Sequence, residues 1–331
     1  MPLREPNGPA KSRPMDEFEL IDRLIEILGE NARGPAILLG PGDDAALVQI
    51  PPNSVAVSSI DTLVADVHFA AAAPADLVGF RAVGVSVSDL AAMGAEPDYA
   101  LVALTLPDGS VEWLERFAHG VGAAAARFGV KIAGGNLARG PLNICVSVHG
   151  HCVASEALTR RGAHENDLVC VSGVLGGAAA ALDRSDLATP PDMATLFAAT
   201  ESDGNYLLRR YYLPEPRLEL GRALRGIATA AIDVSDGLVA DLGHLCAASG
   251  VAGSIDLDAL PVARGCTAVQ AASGGDDYEL CFTIAPKDRG RLSGLPERVS
   301  VIGRIDAGAG VSLHAGGRAV SLPRGGFRHF R

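Results

Sequence analysis

Lysine is almost missing from this chain of 331 residues: only Lys11, Lys131 and Lys287 occur, and none follows a glycine-rich loop that opens a helix. That excludes a Walker-type phosphate loop, whose Gly-Lys-Ser/Thr ending sets a cation on the phosphates. No CxxC pair exists among the six cysteines Cys145, Cys152, Cys170, Cys246, Cys266 and Cys281, which lie singly in apolar segments. They read as buried small hydrophobes of a reducing, cytoplasmic protein, not as disulfides or a zinc site. No apolar run approaches the roughly 20 residues that cross a bilayer, so no membrane role is expected. The net charge of -11 speaks against a nucleic-acid surface, which needs clustered cations. A serine nucleophile elbow is absent, and no cysteine stands in a basic, glycine-rich turn, so covalent catalysis by either is not expected.

What is present is carboxylate in unusual places. Gly42-Asp43-Asp44, Ser59-Ile60-Asp61, Ser88-Asp89, Asp233-Val234-Ser235-Asp236 and Gly275-Asp276-Asp277 all sit in apolar or small-residue segments, where strands are expected to end and helices to begin. Carboxylates gathered without partners raise one another's pKa, and divalent cations are the simplest compensation. Mg²⁺ suits such a set because it prefers oxygen ligands, keeps waters and works with several monodentate carboxylates and nearby hydroxyls such as Ser59 and Ser235. Each cluster alone has a plainer reading. Asp233, Asp236 and Ser88-Asp89 could be caps or buried acceptors, while Pro41-Gly42-Asp43-Asp44 and Gly275-Asp276-Asp277 have turn chemistry.

At 48% hydrophobic content the chain is long enough for two well-buried domains. Residues 1–14 read as a loose leader, with Met15 as a possible natural start; residues 15–154 as a first α/β domain; and residues 155–331 as a second. Helices are expected over Asp16–Leu28, Leu77–Met93, Val111–Phe128, Ala178–Leu182, Arg217–Ile227 and Asp236–Ala248, the last with Ser235 as N-cap and its first N–H groups open to a phosphate. Asp89 is expected to be buried. Strands are expected over Ser54–Ser59 (delivering Asp61 at the end), Pro97–Leu106, Asn143–Val153, Asp167–Ser172, Ala231–Asp233, Ser254–Leu257, Tyr278–Ile284 and Val299–Ile305. Gly173–Gly177 reads as a tight turn before an alanine-rich helix. Val87-Ser88-Asp89 and Gly134-Gly135-Asn136 faintly echo Val234-Ser235-Asp236 and Gly274-Gly275-Asp276, too briefly to establish a duplication. His68 reads as a continuation of the Asp61 strand. His149 and His151 alternate on one strand without a third ligand.

Taken together, Gly42-Asp43-Asp44-Ala45-Ala46, Asp61 through Phe69, Val87 through Ala95, Asp233-Val234-Ser235-Asp236-Gly237-Leu238 with Asp241-Leu242-Gly243-His244, and Gly274 through Leu280 resemble the thiamine-monophosphate kinases, over about Phe18 to Phe330. The resemblance implies the α/β (α+β) aminoimidazole-ribonucleotide-synthetase-like fold of two domains, with N-terminal domains pairing in a homodimer and ATP between domains. It implies direct transfer of the ATP γ-phosphoryl group to thiamine monophosphate, a phosphotransferase reaction with a phosphate acceptor, aided by several Mg²⁺ ions. By motif, metal would fall to Asp44, Ser59, Asp61, Asp89, Asp233 and Asp236, with Asp61, Asp89 and Asp236 as the catalytic set. ATP would meet Gly135, Asn136, Arg160 and Ser235, and the acceptor would meet His68, Asp276 and Phe327. The chain departs from the family pattern at Asn136, where Asp is usual, at Ile60, where Thr is common, and at Asp276, often Glu. Selenophosphate synthetases and hydrogenase-maturation relatives fit poorly, since residues 1–42 hold no cysteine and the chain ends Arg328-His329-Phe330-Arg331. A paralogue with another acceptor, or a nucleotide-binding protein without turnover, remains an alternative.

Overall fold

The computed structural model describes residues 17–321; the expected leader, Met15 and Phe327 lie outside them. The first half contains α1 (Glu17–Leu28), β1 (Ile37–Leu39), β2 (Leu47–Val48), β3 (Val55–Val64), α2 (Ala75–Ala92), β4 (Glu96–Leu106), α3 (Val111–Phe128), β5 (Lys131–Arg139) and β6 (Asn143–Cys152). The second contains β7 (Leu168–Ser172), α4 (Gly177–Ala181), α5 (Met193–Ala198), α6 (Tyr206–Tyr212), α7 (Leu218–Ala223), β8 (Ala228–Asp233), α8 (Leu238–Ser249), β9 (Ala252–Asp256), α9 (Ala268–Ser273), β10 (Leu280–Ile284), β11 (Val299–Asp306), β12 (Gly310–Ala315) and β13 (Arg318–Val320). Among the described residues, no helix is long and apolar enough to cross a membrane.

Two sheets organise these elements. The first has the order β3-β6-β4-β5, antiparallel except for the parallel pair β4–β5. The second has the order β13-β12-β9-β11-β7-β10-β8, with only β9 and β12 parallel among its neighbours. On β6 the alternation is strict: Ile144, Val146 and Val148 are buried against helices, while Cys145, Ser147 and His149 point to the opposite, partly open face, as a period of two requires.

Helix α2 lies at the centre, with 16 of its 18 residues buried. It packs on β3 and β6, on α3, and on α6, α7 and β8 of the second half. A helix apolar all round is what such a position demands. It ends in a Schellman turn, in which Gly94 takes φ +63° and the N–H of Ala95 reaches the Leu90 carbonyl at 2.8 Å, a geometry that favours glycine. Glycine also sets how closely its neighbours approach. A Cβ on Gly120 of α3 would stand 1.9 Å from the Asp76 carbonyl oxygen, and one on Gly221 of α7 2.0 Å from that of Ala91.

Several expectations need correction. Strand β3 continues past Asp61 to Val64, because Thr62–Val64 keep pairing with β6, and His68 stands in the turn beyond it. Helix α8 begins at Leu238 behind a Gly237 cap, with no capping bond from Ser235. Asp89 is only partly buried. Gly134-Gly135-Asn136 belongs to β5, a strand not anticipated from sequence, whereas Gly274 to Asp276 is a loop with Asp276 at φ +67°. Since Ser88-Asp89 is mid-helix and Ser235-Asp236 lies in a loop, the two halves do not repeat locally.

Substituting Gly120→Ala is expected to destabilise the protein by about 3 kcal/mol through forced separation of α2 and α3, read as a lower urea midpoint at unchanged slope. Gly122→Ala on the same helix, where the nearest atom to the new Cβ is 3.6 Å away, is expected to be tolerated.

Candidate active site

Arg81, Val85 and Asp89 recur at i, i+4 and i+8 along α2, a spacing that aligns them in one strip, and all three line a cleft of about 620 Å³ between the two halves. A second cleft, of about 690 Å³, opens beside it and is walled by Ser59, Met93, Thr159, Arg160 and Ala231. Asp89 and Asp233 border both.

At this junction three carboxylates feel one another. Burial, then the charge of Asp89, pushes Asp61 up to about 6, against a hydrogen bond from the buried Ser86 hydroxyl. Asp233, at the end of β8, is pushed up to about 7 by burial and then by Asp89 and Asp61, with the Ser88 hydroxyl and Arg160 working the other way. Ser88 Oγ donates to Asp233 Oδ2 at 2.7 Å, and Ser59 Oγ donates to Asp89 Oδ2. None of Asp61, Asp89 and Asp233 forms an ion pair among the described residues. Among those residues, also, no three His, Cys, Asp or Glu side chains converge closely enough to enclose an ion by themselves. The carboxylate and hydroxyl oxygens at the junction are hard donors, the kind Mg²⁺ takes together with water.

Ser235 and Asp236 reach the smaller cleft from the loop between β8 and α8. That loop is shaped from within: the backbone N–H groups of Ser235, Asp236 and Gly237 all donate to Oδ2 of buried Asp241, at 3.1, 3.0 and 3.1 Å. These donors were expected to face a phosphate, and the chain's own carboxylate takes them instead. Burial and the charges of Asp233 and Asp236 push Asp241 up to about 8, against those N–H groups.

The far end of the smaller cleft is charged but compensated. Arg81, 2% exposed, forms an ion pair from Nη2 to Asp276 Oδ1 at 2.9 Å and donates from Nη1 to the Tyr211 carbonyl at 2.6 Å, with its guanidinium 4.1 Å from the Tyr211 ring centroid. Tyr278 Oη donates to the same Asp276 oxygen at 2.8 Å. His68 lines this end as well; its Nδ1 accepts from the Val64 N–H at 3.0 Å, which assigns the proton of the neutral ring to Nε2. The Tyr211 hydroxyl donates to the His68 carbonyl at 2.8 Å. Behind the loop, Glu279 is fully buried between Arg217 (2.6 Å), Arg210 (3.1 Å) and the Ser172 hydroxyl (2.6 Å). Burial alone would raise its pKa, but the two arginines and that hydroxyl hold it below the usual carboxylate range. Asp277 turns away from the cleft and accepts the Gly176 N–H at 2.8 Å, closing the turn read at Gly173–Gly177.

Of the residues singled out from sequence, Ser59, Asp61, Asp89, Asp233, Ser235, Asp236, Asp276, His68 and Arg160 line one or both clefts. Asp44 does not; it is exposed between β1 and β2. Gly135 and Asn136 are exposed on β5, across the whole sheet from Asp61 on β3, about 14 Å away at three strand spacings. Both ring nitrogens of His149 are engaged by the Ser58 and Ser147 hydroxyls. Sequence reasoning assigned no role to Arg81, Tyr211 or Asp241. The signal for Arg81 was present as a lone cation two helical turns before Asp89 in an otherwise apolar stretch.

Residues 42–154 match the family model of the AIR synthase related protein N-terminal domain, and residues 167–316 that of the C-terminal domain. The chain is 39% identical to thiamine-monophosphate kinase of Salmonella typhimurium over 330 residues, covering 95% of this chain and 98% of that protein. In structure it is similar to thiamine-monophosphate kinase from Stenotrophomonas maltophilia, with a TM-score of 0.79, 41% identity, and coverage of 92% of this chain and 98% of that one. It is also similar to AaThiL complexed with AMPPCP and TMP, with a TM-score of 0.72, 31% identity, and coverage of 95% and 97%. With two cleft-forming domains of this kind and full-length similarity, the chain belongs to the thiamine-monophosphate kinase family of AIR synthase related proteins.

Proposed function

We propose that this protein transfers the γ-phosphoryl group of ATP directly to thiamine monophosphate, giving thiamine diphosphate and ADP. The observation that carries this reading is the meeting of two clefts at Asp89 and Asp233, a layout in which two substrates in adjacent clefts share one acidic junction. A relative of this fold was solved with AMPPCP, an ATP analogue, and TMP. The larger cleft, with Arg160 on its wall, receives the nucleotide. The smaller one, ending at Arg81, Asp276 and His68, receives the acceptor.

Phosphoryl transfer asks the protein mainly for alignment and charge neutralisation. Ser59 and Ser88 orient the Asp89 and Asp233 carboxylates, and the Asp241 cage holds Asp236 toward the same cleft. Asp61, Asp89, Asp233 and Asp236 would hold Mg²⁺, with Ser59 beside them. When bound, Mg²⁺ supplies neutralisation of phosphate oxygens. Asp44, Gly135 and Asn136 enter this reading through assembly. The open face of the first sheet presents the rows Thr62–Cys145–Ala103–Asn136 and Ile60–Ser147–Leu101–Gly134, with Ile60 63% exposed; pairing of two such faces makes a homodimer and brings β5 near a second copy. The six free thiols support a cytoplasmic setting.

The deciding experiment is quantification of thiamine diphosphate and ADP after incubation with Mg-ATP and thiamine monophosphate. Matched formation of both is expected; ATP binding without product would sink the kinase reading in favour of a binding protein. Asp89→Asn should keep the native circular dichroism spectrum while lowering kcat about 100-fold or more, the scale for losing a transition-state charge contact.

A pH dependence follows from the junction. Asp61 and Asp233 titrate in the folded protein near 6 and 7, above the ordinary 3.8. Between those limits the metal-free fold binds protons that the unfolded chain releases, so their contribution to stability falls as pH rises. Added Mg²⁺ is therefore expected to raise Tm more at pH 8 than at pH 6, and an equal rise at both would contradict the assignment.

For the assembly, a mass near twice 33.9 kDa is expected in light scattering, and Ile60→Arg should shift it toward the monomer.

A further inference from the structure

The Arg81–Asp276 pair is poorly explained by stability. A buried ion pair gains little over a well-packed apolar pair once desolvation is counted, and this one leaves Arg81 Nε buried without a hydrogen-bond partner, which adds cost. Asp276 moreover sits at φ +67° and Tyr278 at φ +52°, backbone conformations uncommon outside glycine and associated with functional sites. Such expense at the wall of a cleft points to position rather than to fold strength.

The geometry says what is being positioned. Both polar contacts to Asp276, from Arg81 Nη2 and Tyr278 Oη, fall on Oδ1, and Oδ2 takes no hydrogen bond among the described residues. The Asp276 side chain is 30% exposed and lines the smaller cleft. Arg81 is itself clamped by the Tyr211 carbonyl and ring, and Tyr211 ties the His68 turn through its hydroxyl. Arg81 and Asp89 lie eight residues apart on α2, about 12 Å along the axis, so a single rigid helix fixes the distance between this carboxylate and the acidic junction.

We infer that Arg81 is a positioning residue for the phosphoryl acceptor: it fixes Asp276 so that Oδ2 meets a hydrogen-bond donor of the acceptor's heterocycle, at a set distance from the junction. This rests on thiamine monophosphate being the acceptor, whose pyrimidine carries an exocyclic amine able to donate to a carboxylate. Lysine does not replace arginine here, because it lacks the planar fork that holds Asp276 and Tyr211 together.

The test is steady-state kinetics on Arg81→Met, Arg81→Lys, Tyr278→Phe and Asp276→Ala, with calorimetric titration of AMPPCP as a readout of the nucleotide side. Arg81→Met is expected to raise the KM for thiamine monophosphate about tenfold, with kcat and AMPPCP affinity within about twofold of wild type. Arg81→Lys should recover only part of that loss. Tyr278→Phe, which removes one hydroxyl and keeps the ring, should raise the same KM about threefold, and it reads the inference even if Arg81→Met fails to fold. Arg81→Met combined with Asp276→Ala should be no worse than Asp276→Ala alone, since the arginine acts through that carboxylate. An unmoved KM in folded Arg81→Met and Tyr278→Phe overturns the inference alone, as does an equal loss of kcat, acceptor affinity and nucleotide affinity. A wild-type protein that forms no thiamine diphosphate overturns the functional reading and this inference with it.

Discussion

The structure depends on burying α2. A helix with 16 of 18 residues out of solvent must be apolar all round, and it touches the first sheet, α3 and the second half at once. It therefore fixes how the halves meet and which few polar side chains can face the space between them. Arg81, Ser86, Ser88 and Asp89 are those side chains. Backbone approaches at Gly120 and Gly221, where no Cβ fits, remove the slack that would let the helix slide along its neighbours.

Buried charge is handled in two ways within one fold. Around Glu279, Asp277 and Asp276, arginines supply the counter-charge: Arg210 and Arg217 surround Glu279, and Arg81 meets Asp276. At Asp61, Asp89 and Asp233 hydroxyls orient the carboxylates, and their mutual repulsion persists. In the first arrangement the Glu279 cluster is complete within the chain, whereas Asp276 lines the smaller cleft with Oδ2 taking no hydrogen bond among the described residues. The second has its charge unmet, and the two clefts open onto it. The contrast sets arginine-paired acids apart from acids paired only with hydroxyls more sharply than their sequence contexts do.

Much of this was legible in the sequence, for physical reasons that also mark where legibility ended. Helix α3 was readable to the residue, because its apolar period is uninterrupted and Ser110 and Gly129 bound it with a side-chain cap and a left-handed turn. The acidic strings were readable because aspartate is costly in apolar surroundings. The end of β3 was not, since continued pairing with β6 overrides local composition, and β5 was missed because glycines and asparagine mask a strand whose register is set by β4. Counter-charge was sought among lysines and metals, while buried Arg81 on α2 and partly buried Arg210 on α6 and Arg217 just before α7 supplied part of it. Only three-dimensional packing shows which arginine faces which acid. The placement of Asn136 away from the clefts of its own chain likewise reflects sheet order, which motif order along the sequence does not encode.

The Asp241 cage has a further consequence. Because its carboxylate already satisfies the three successive N–H groups of Ser235, Asp236 and Gly237, the loop keeps its shape in the absence of any anion. A loop that waited for a phosphate to organise it would give up part of its binding free energy as ordering entropy at each encounter. Here that ordering is completed once, during folding, and each later ligand meets a surface whose conformation is already decided.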